Sequence, residues 1–263
     1  TAANALAVTL DKTGTIAHAT GGFLLTGNSL AAASGATSLT VSTGTTVTAA
    51  FEIPADSAGT PTATGLTSLI IQDGAAVTGD VTLNGDDGLL TNAVLVLGSA
   101  GSAGTTLTGD VISGGAAEGT ITVSGDATIT GQVGDTTTLS IGALTVATTK
   151  TLTVAGAEYH VVDTDVAGTL TFSDAATPAA TVITGAIDGS ASGVGALTVA
   201  NTAAGGATFE TAIGGNNALA TIDISSGANI TTFDLAVDAT TITTNSTALT
   251  TFSGDVTGAV VFG

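Results

Sequence analysis

The chain reads as an all-β protein: a repetitive β-solenoid (β-helix-like) of short Thr-rich strands. Three observations predict this. A four-residue phrase recurs along the chain, its copies in the second half return at a period in the twenties, and Gly is abundant at 37 residues while Pro is scarce at 3. Tandem β-sandwich domains also use short alternating strands and are the alternative architecture.

The phrase is a small residue, Leu or Ile, Thr or Ser, then Val, Ile or Phe. It occurs as Ser38-Leu39-Thr40-Val41, Thr120-Ile121-Thr122-Val123, Thr138-Leu139-Ser140-Ile141 and Ala143-Leu144-Thr145-Val146. It returns as Thr151-Leu152-Thr153-Val154, Thr169-Leu170-Thr171-Phe172, Ala196-Leu197-Thr198-Val199 and Thr221-Ile222-Asp223-Ile224. Side chains alternate across a strand, so each copy buries its aliphatic residues and turns Thr or Ser outward.

Taken in chain order, residues 1–50 form an N-terminal β unit or cap. Residues 51–66, broken by Pro54 and Pro61, form an irregular loop or boundary. Residues 67–263 form the repetitive solenoid. Gly-Asp phrases at Gly79-Asp80, Gly109-Asp110, Gly125-Asp126 and Gly254-Asp255 mark turns, where Gly supplies conformations that other residues resist. In the second half, Leu170, Leu197, Ile222 and Leu249 follow one another at nearly equal intervals. A second element, Thr181 to Gly189, recurs as Ala207 to Gly215 and more loosely from Thr251 to Gly258. Leu170, Phe172, Leu197, Val199, Ile222, Ile224, Leu249 and Phe252 are therefore expected inside.

Charge narrows the function classes. Asp and Glu number 21 against Lys12 and Lys150, giving a net charge of -19. Two lysines cannot line a basic groove, which argues against nucleic acid as a partner, and the acidic surface repels anionic lipid. With no Cys, disulfides and thiolate metal sites are excluded. No apolar run approaches the roughly 18 residues of a membrane-spanning helix.

The phrase Ala212-Ile213-Gly214-Gly215-Asn216-Asn217-Ala218-Leu219-Ala220-Thr221-Ile222-Asp223-Ile224 resembles the passenger repeats of rickettsial-type autotransporter surface antigens. Ser226-Gly227-Ala228-Asn229-Ile230-Thr231-Thr232-Phe233 follows in the same manner, and the resemblance covers residues 168–263. In composition the whole chain is similar to bacterial surface-layer proteins, which are acidic, sulfur-poor and rich in Thr and Ala. These resemblances imply an extracellular protein of the bacterial cell surface, with Ca²⁺ as a cofactor of some such lattices.

Candidate sites are few. Asp80, Asn84, Asp86 and Asp87, with Gly85 and Gly88 between and beside them, gather hard oxygens at a turn and are a candidate calcium site. Glu158, Tyr159, His160, Asp163 and Asp165 form a second polar cluster, in which Glu158 and His160 lie on one face of a strand. Enzymatic chemistry finds little support. There is no Arg to serve as a lyase base, no Gly-x-Ser-x-Gly elbow, and no Trp platform for sugars. Thr-x-Thr pairs, including Thr128/Thr130, Thr151/Thr153 and Thr169/Thr171, would order water and bind ice if aligned in a flat row, but their sequence spacing is uneven and favours the simpler reading, the suitability of Thr for outward strand positions.

The expectation is a non-enzymatic structural protein that self-assembles by strand stacking into a surface layer or filament. Its partners would be copies of itself and other cell-surface components. A monomeric adhesin rod of autotransporter type is the alternative.

Overall fold

The fold is that of a computed structural model in which residues 9–10, 15–16, 37–41, 43–48, 50–53, 66–84, 93–98, 103–135, 138–173, 180–202, 205–225 and 227–263 are described. Among them every regular element is a strand, and every ladder is parallel. The strands form two 11-stranded sheets and one three-stranded sheet. Strands adjacent in sequence do not pair. Thr151–Val154 lies instead on Thr169–Phe172, and that strand on Ala196–Val199, so the chain advances by one coil between partners. A sandwich of hairpins would pair neighbours antiparallel, and the parallel register makes the chain a solenoid.

Each coil must stack, because one coil cannot stabilise itself. An inward Leu, Val or Ile contributes about 1.5–3 kcal/mol on burial, while ordering the backbone costs about 1–2 kcal/mol per residue. Stacking removes both faces of each interior coil from water and satisfies its backbone groups. The result is continuous inward ladders. Val77, Leu107, Ile129, Val154, Phe172, Val199 and Ile224 lie one above another, all buried.

Aromatic residues join into a second ladder. Tyr159 meets Phe172 edge-on at 5.1 Å, and Phe172 meets Phe209 edge-on at 5.7 Å. Phe209, Phe233 and Phe252 then stack face to face. The inward hydroxyl of Thr164, in a column of aliphatic residues, is matched by the Tyr159 hydroxyl at 2.7 Å, so neither is left unpaired.

Corners are held by the Gly-Asp phrases. The Asp110 N–H donates to Asp80 Oδ1 at 2.9 Å, and the Gln132 N–H donates to Asp110 Oδ1 at 2.9 Å one coil further. Asp126 Oδ1 accepts the Thr151 N–H in the same way. A side chain on Gly109 would strike the Gly79 carbonyl below it, so close stacking of these corners requires glycine.

Strands Thr37–Val41 and Thr46–Thr48, within residues 1–50, are hydrogen-bonded into the same two long sheets as the later strands. Phe51–Ile53 opens the three-stranded sheet, followed by Val81–Leu83 and Val111–Ser113. Most of the 51–66 segment lies outside the described residues.

One expected core residue is placed otherwise. Leu249 is 66% exposed, whereas Leu170, Phe172, Leu197, Val199, Ile222 and Ile224 are buried and Phe252 is packed against the core. Ile222 is followed in its ladder by Ile242 and then Val260, both closer in sequence than the earlier spacing implies, because the last corners are shorter. The phrase around Leu249 belongs to strand Thr250–Phe252, whose register is set by Phe252 on Phe233. Leu249 falls just before that strand, where its carbonyl accepts the Thr231 N–H at 3.0 Å.

Candidate functional site

Polar chemistry gathers where strand Glu158–Val166 crosses Thr181–Gly189. Tyr159 and Val161 point inward by strand alternation, and a register shift between His160 and Asp163 then changes the parity. Beyond the shift Thr164 points in, and Asp163 and Asp165 point out to solvent. The shift is accommodated at Gly185, whose φ of +86° and contact with the Val161 carbonyl leave no room for a side chain.

His160 lies outside the aliphatic core yet is only 5% exposed. Its Nε2 is 2.7 Å from Glu158 Oε2 and its Nδ1 is 2.7 Å from Thr184 Oγ1. Both ring nitrogens are thus engaged, and a metal ion would have to displace one of these contacts. Asp163 and Asp165, from the same cluster, are separated from the imidazole by the register shift.

Asp165 instead faces Asp188 across the ladder. Desolvation, then the charges of Asp163 and Asp188, hold its carboxyl above the ordinary range. Asp188 itself is buried and well satisfied. Its Oδ1 accepts the Asn216 N–H at 2.9 Å and the Asn217 N–H at 3.4 Å, and its Oδ2 accepts the Asn216 side-chain amide at 2.8 Å. The Gly-Asn-Asn phrase that carries the autotransporter resemblance serves here as a cap on a buried carboxylate one coil away.

The turn beginning at Asp80 is only partly described. Asp80 Oδ1 accepts the Asp110 N–H, and the Asn84 amide donates to Glu52 Oε1 at 3.1 Å. Asp86 and Asp87, together with Gly85 and Gly88, lie outside the described residues. Among the described residues no three His, Asp or Glu side chains converge as a metal site.

Thr184, Asp188 and Asn216 are the members of the polar region that the sequence does not single out. Their signal lies in the alignment of Thr181–Gly189 with Ala207–Gly215. That alignment is the observed register, with Ile183 on Phe209 and Ile187 on Ile213.

Among the described residues no helix is long and apolar enough to cross a membrane. Comparison with known proteins gives no matching family model, no matching curated protein and no matching solved structure.

Proposed function

We propose that the protein is a non-enzymatic structural component of the bacterial cell surface, which assembles by coil-on-coil strand stacking into an extracellular layer or filament. The observation that carries this reading is the parallel stacking of coil upon coil through both long sheets, a contact that a second copy can repeat. Strand Val256–Phe262 is the outer strand of one long sheet, and Thr250–Phe252 is the outer strand of the other. Every residue of Val256–Phe262 is exposed, including Val260, Val261 and Phe262. The apolar ladder of Ile222, Ile242 and Val260 runs to this strand, and a further parallel coil, from this chain or a second copy, would stack on it in the same way.

Charge favours approach at this face. Residues 245–263 hold one charged side chain, Asp255, in a chain that carries 21 acidic residues. Elsewhere copies repel, and divalent cations such as Ca²⁺ would bridge their carboxylates. A coil supplied by a second copy would continue both sheets. The phrase-level resemblance to autotransporter passengers and the compositional similarity to surface-layer proteins support the location.

Electron microscopy of the 263-residue protein, with Ca²⁺ and with chelator, tests the proposal. Ordered filaments or sheets that loosen in chelator are expected. Dispersed single rods under both conditions would overturn self-assembly and favour the adhesin-like alternative. Ordered assemblies unaffected by chelator would remove the cation bridge while retaining the stacking.

A further inference from the structure

The Thr-x-Thr pairs Thr128/Thr130, Thr151/Thr153 and Thr169/Thr171 are uneven in sequence, yet one Thr of each falls in a regular column in space. Thr106, Thr128, Thr153, Thr171 and Thr198 occupy one outward column over five successive coils. The number of residues between one and the next varies from coil to coil, yet each stands directly beside its neighbour in the ladder. Differences in corner length absorb the irregularity. Thr108 and Thr130 stand two positions after the column in its first coils, and Thr151 and Thr169 two positions before it in the next ones. All of these side chains reach the surface.

This face is one continuous column of hydroxyl and methyl groups, with a second Thr beside it in the first four coils, on one side in two and on the other in two. Its repeat is about 4.8 Å between strands and about 6.6 Å between alternate residues along a strand. The spacing between strands is close to an oxygen repeat on the faces of hexagonal ice. Charge is also partitioned. The strands of this sheet carry only Asp223 and Asp238, whereas those of the opposite long sheet carry Glu118, Glu158, Asp163, Asp165 and Asp188. Asp238 precedes the register shift of its own strand and lies off the column, and Asp223 bounds the five-coil block at Thr198. No aromatic ring projects from the block, so it lacks the stacking platform on which a sugar polymer would lie.

We propose that the face centred on Thr153 and Thr171 binds ice. Threonine hydroxyls would anchor water at lattice spacing, and the methyl groups between them would hold that layer against exchange with bulk water. The low charge of the face keeps it from imposing the disordered hydration shell of an ion. This inference does not rest on the assembly proposed above.

The test is partition of the protein into slowly growing ice, compared with inhibition of ice recrystallisation. Two variants are used, each checked for a native circular dichroism spectrum and melting transition. Thr171→Lys places a charged chain in the column. Thr145→Lys makes the same change at an exposed position on the opposite long sheet. The proposal expects the parent and T145K to enter ice and slow recrystallisation, with both effects lost in T171K. Exclusion of the parent protein from ice would overturn it. Equal behaviour of the parent and both variants would also overturn it, because binding would then lie elsewhere. Concentration-dependent association abolished by T171K, without ice partition, would assign the face to a second copy instead.

Discussion

The ring of Phe233 lies on the ring of Phe209 with centroids 4.6 Å apart and planes 13° from parallel. Phe252 covers its other face at 5.1 Å and 4°. Parallel in-register stacking forces this arrangement, since equivalent residues on successive coils have nowhere to point but along the axis. Phe233→Ala would open a cavity between two rings. The expected cost is about 3–5 kcal/mol, read as a shift in the denaturation midpoint. Phe252→Ala should cost less, because Phe252 is only partly buried.

Ile222 stands between Leu197 and Ile242 and is fully buried. Ile222→Asp would place an unpaired carboxylate in an aliphatic ladder, with an expected loss of more than about 4 kcal/mol. A variant that melts like the parent would refute the register assigned to this strand.

Tyr159 and Thr164 satisfy one another inside the core. Tyr159→Phe leaves the Thr164 hydroxyl buried without its partner and should cost about 1–3 kcal/mol. Replacing both, as Tyr159→Phe with Thr164→Val, should cost less than the sum of the single changes. A double-mutant cycle in chemical denaturation measures that coupling.

Asp165 makes stability depend on pH. Its carboxyl is held above the ordinary value by desolvation and by Asp163 and Asp188. The folded state therefore disfavours the ionised form. The penalty is absent well below the ordinary carboxylate pKa of about 3.9, grows as pH rises through the raised folded value, and is complete at neutral pH. Asp165→Asn should raise the melting temperature at neutral pH, with the gain disappearing as pH falls below that range. A gain that persists unchanged in acid would exclude this origin.

Much of the fold is legible in the sequence because solenoid ladders are written in repeated phrases. Leu170, Leu197 and Ile222 align by phrase and stack in space. The extension to Leu249 fails because phrase similarity does not fix corner length, and a small offset moves a side chain out of the core. Irregularity in the first half has a physical source as well. Its coils carry a third strand, as in Val81–Leu83 and Val111–Ser113, and the connections between strands differ in length: the one from Val81–Leu83 to Val94–Leu97 is longer than the one from Val111–Ser113 to Glu118–Val123, so the step from Val77 to Leu107 exceeds the step from Leu107 to Ile129. The His160 region is half legible. Glu158 and His160 pair on one strand face, but Thr184 comes from the next coil and needs the ladder register to be found. The uneven spacing of Thr-x-Thr pairs conceals a regular column, since spacing along a chain is not spacing across a sheet.

The proposed coil-on-coil assembly would run through the Thr250–Phe262 coil. Sedimentation velocity of the parent protein and of Val260→Lys, over a range of concentrations in Ca²⁺, tests it most directly. Val260 belongs to the outer strand and sits on Ile242, so a lysine there charges the stacking face while leaving earlier coils intact. Large species that grow with concentration are expected in the parent and lost in the variant. A parent protein that sediments as a single 24.7 kDa rod at every concentration would contradict the assembly.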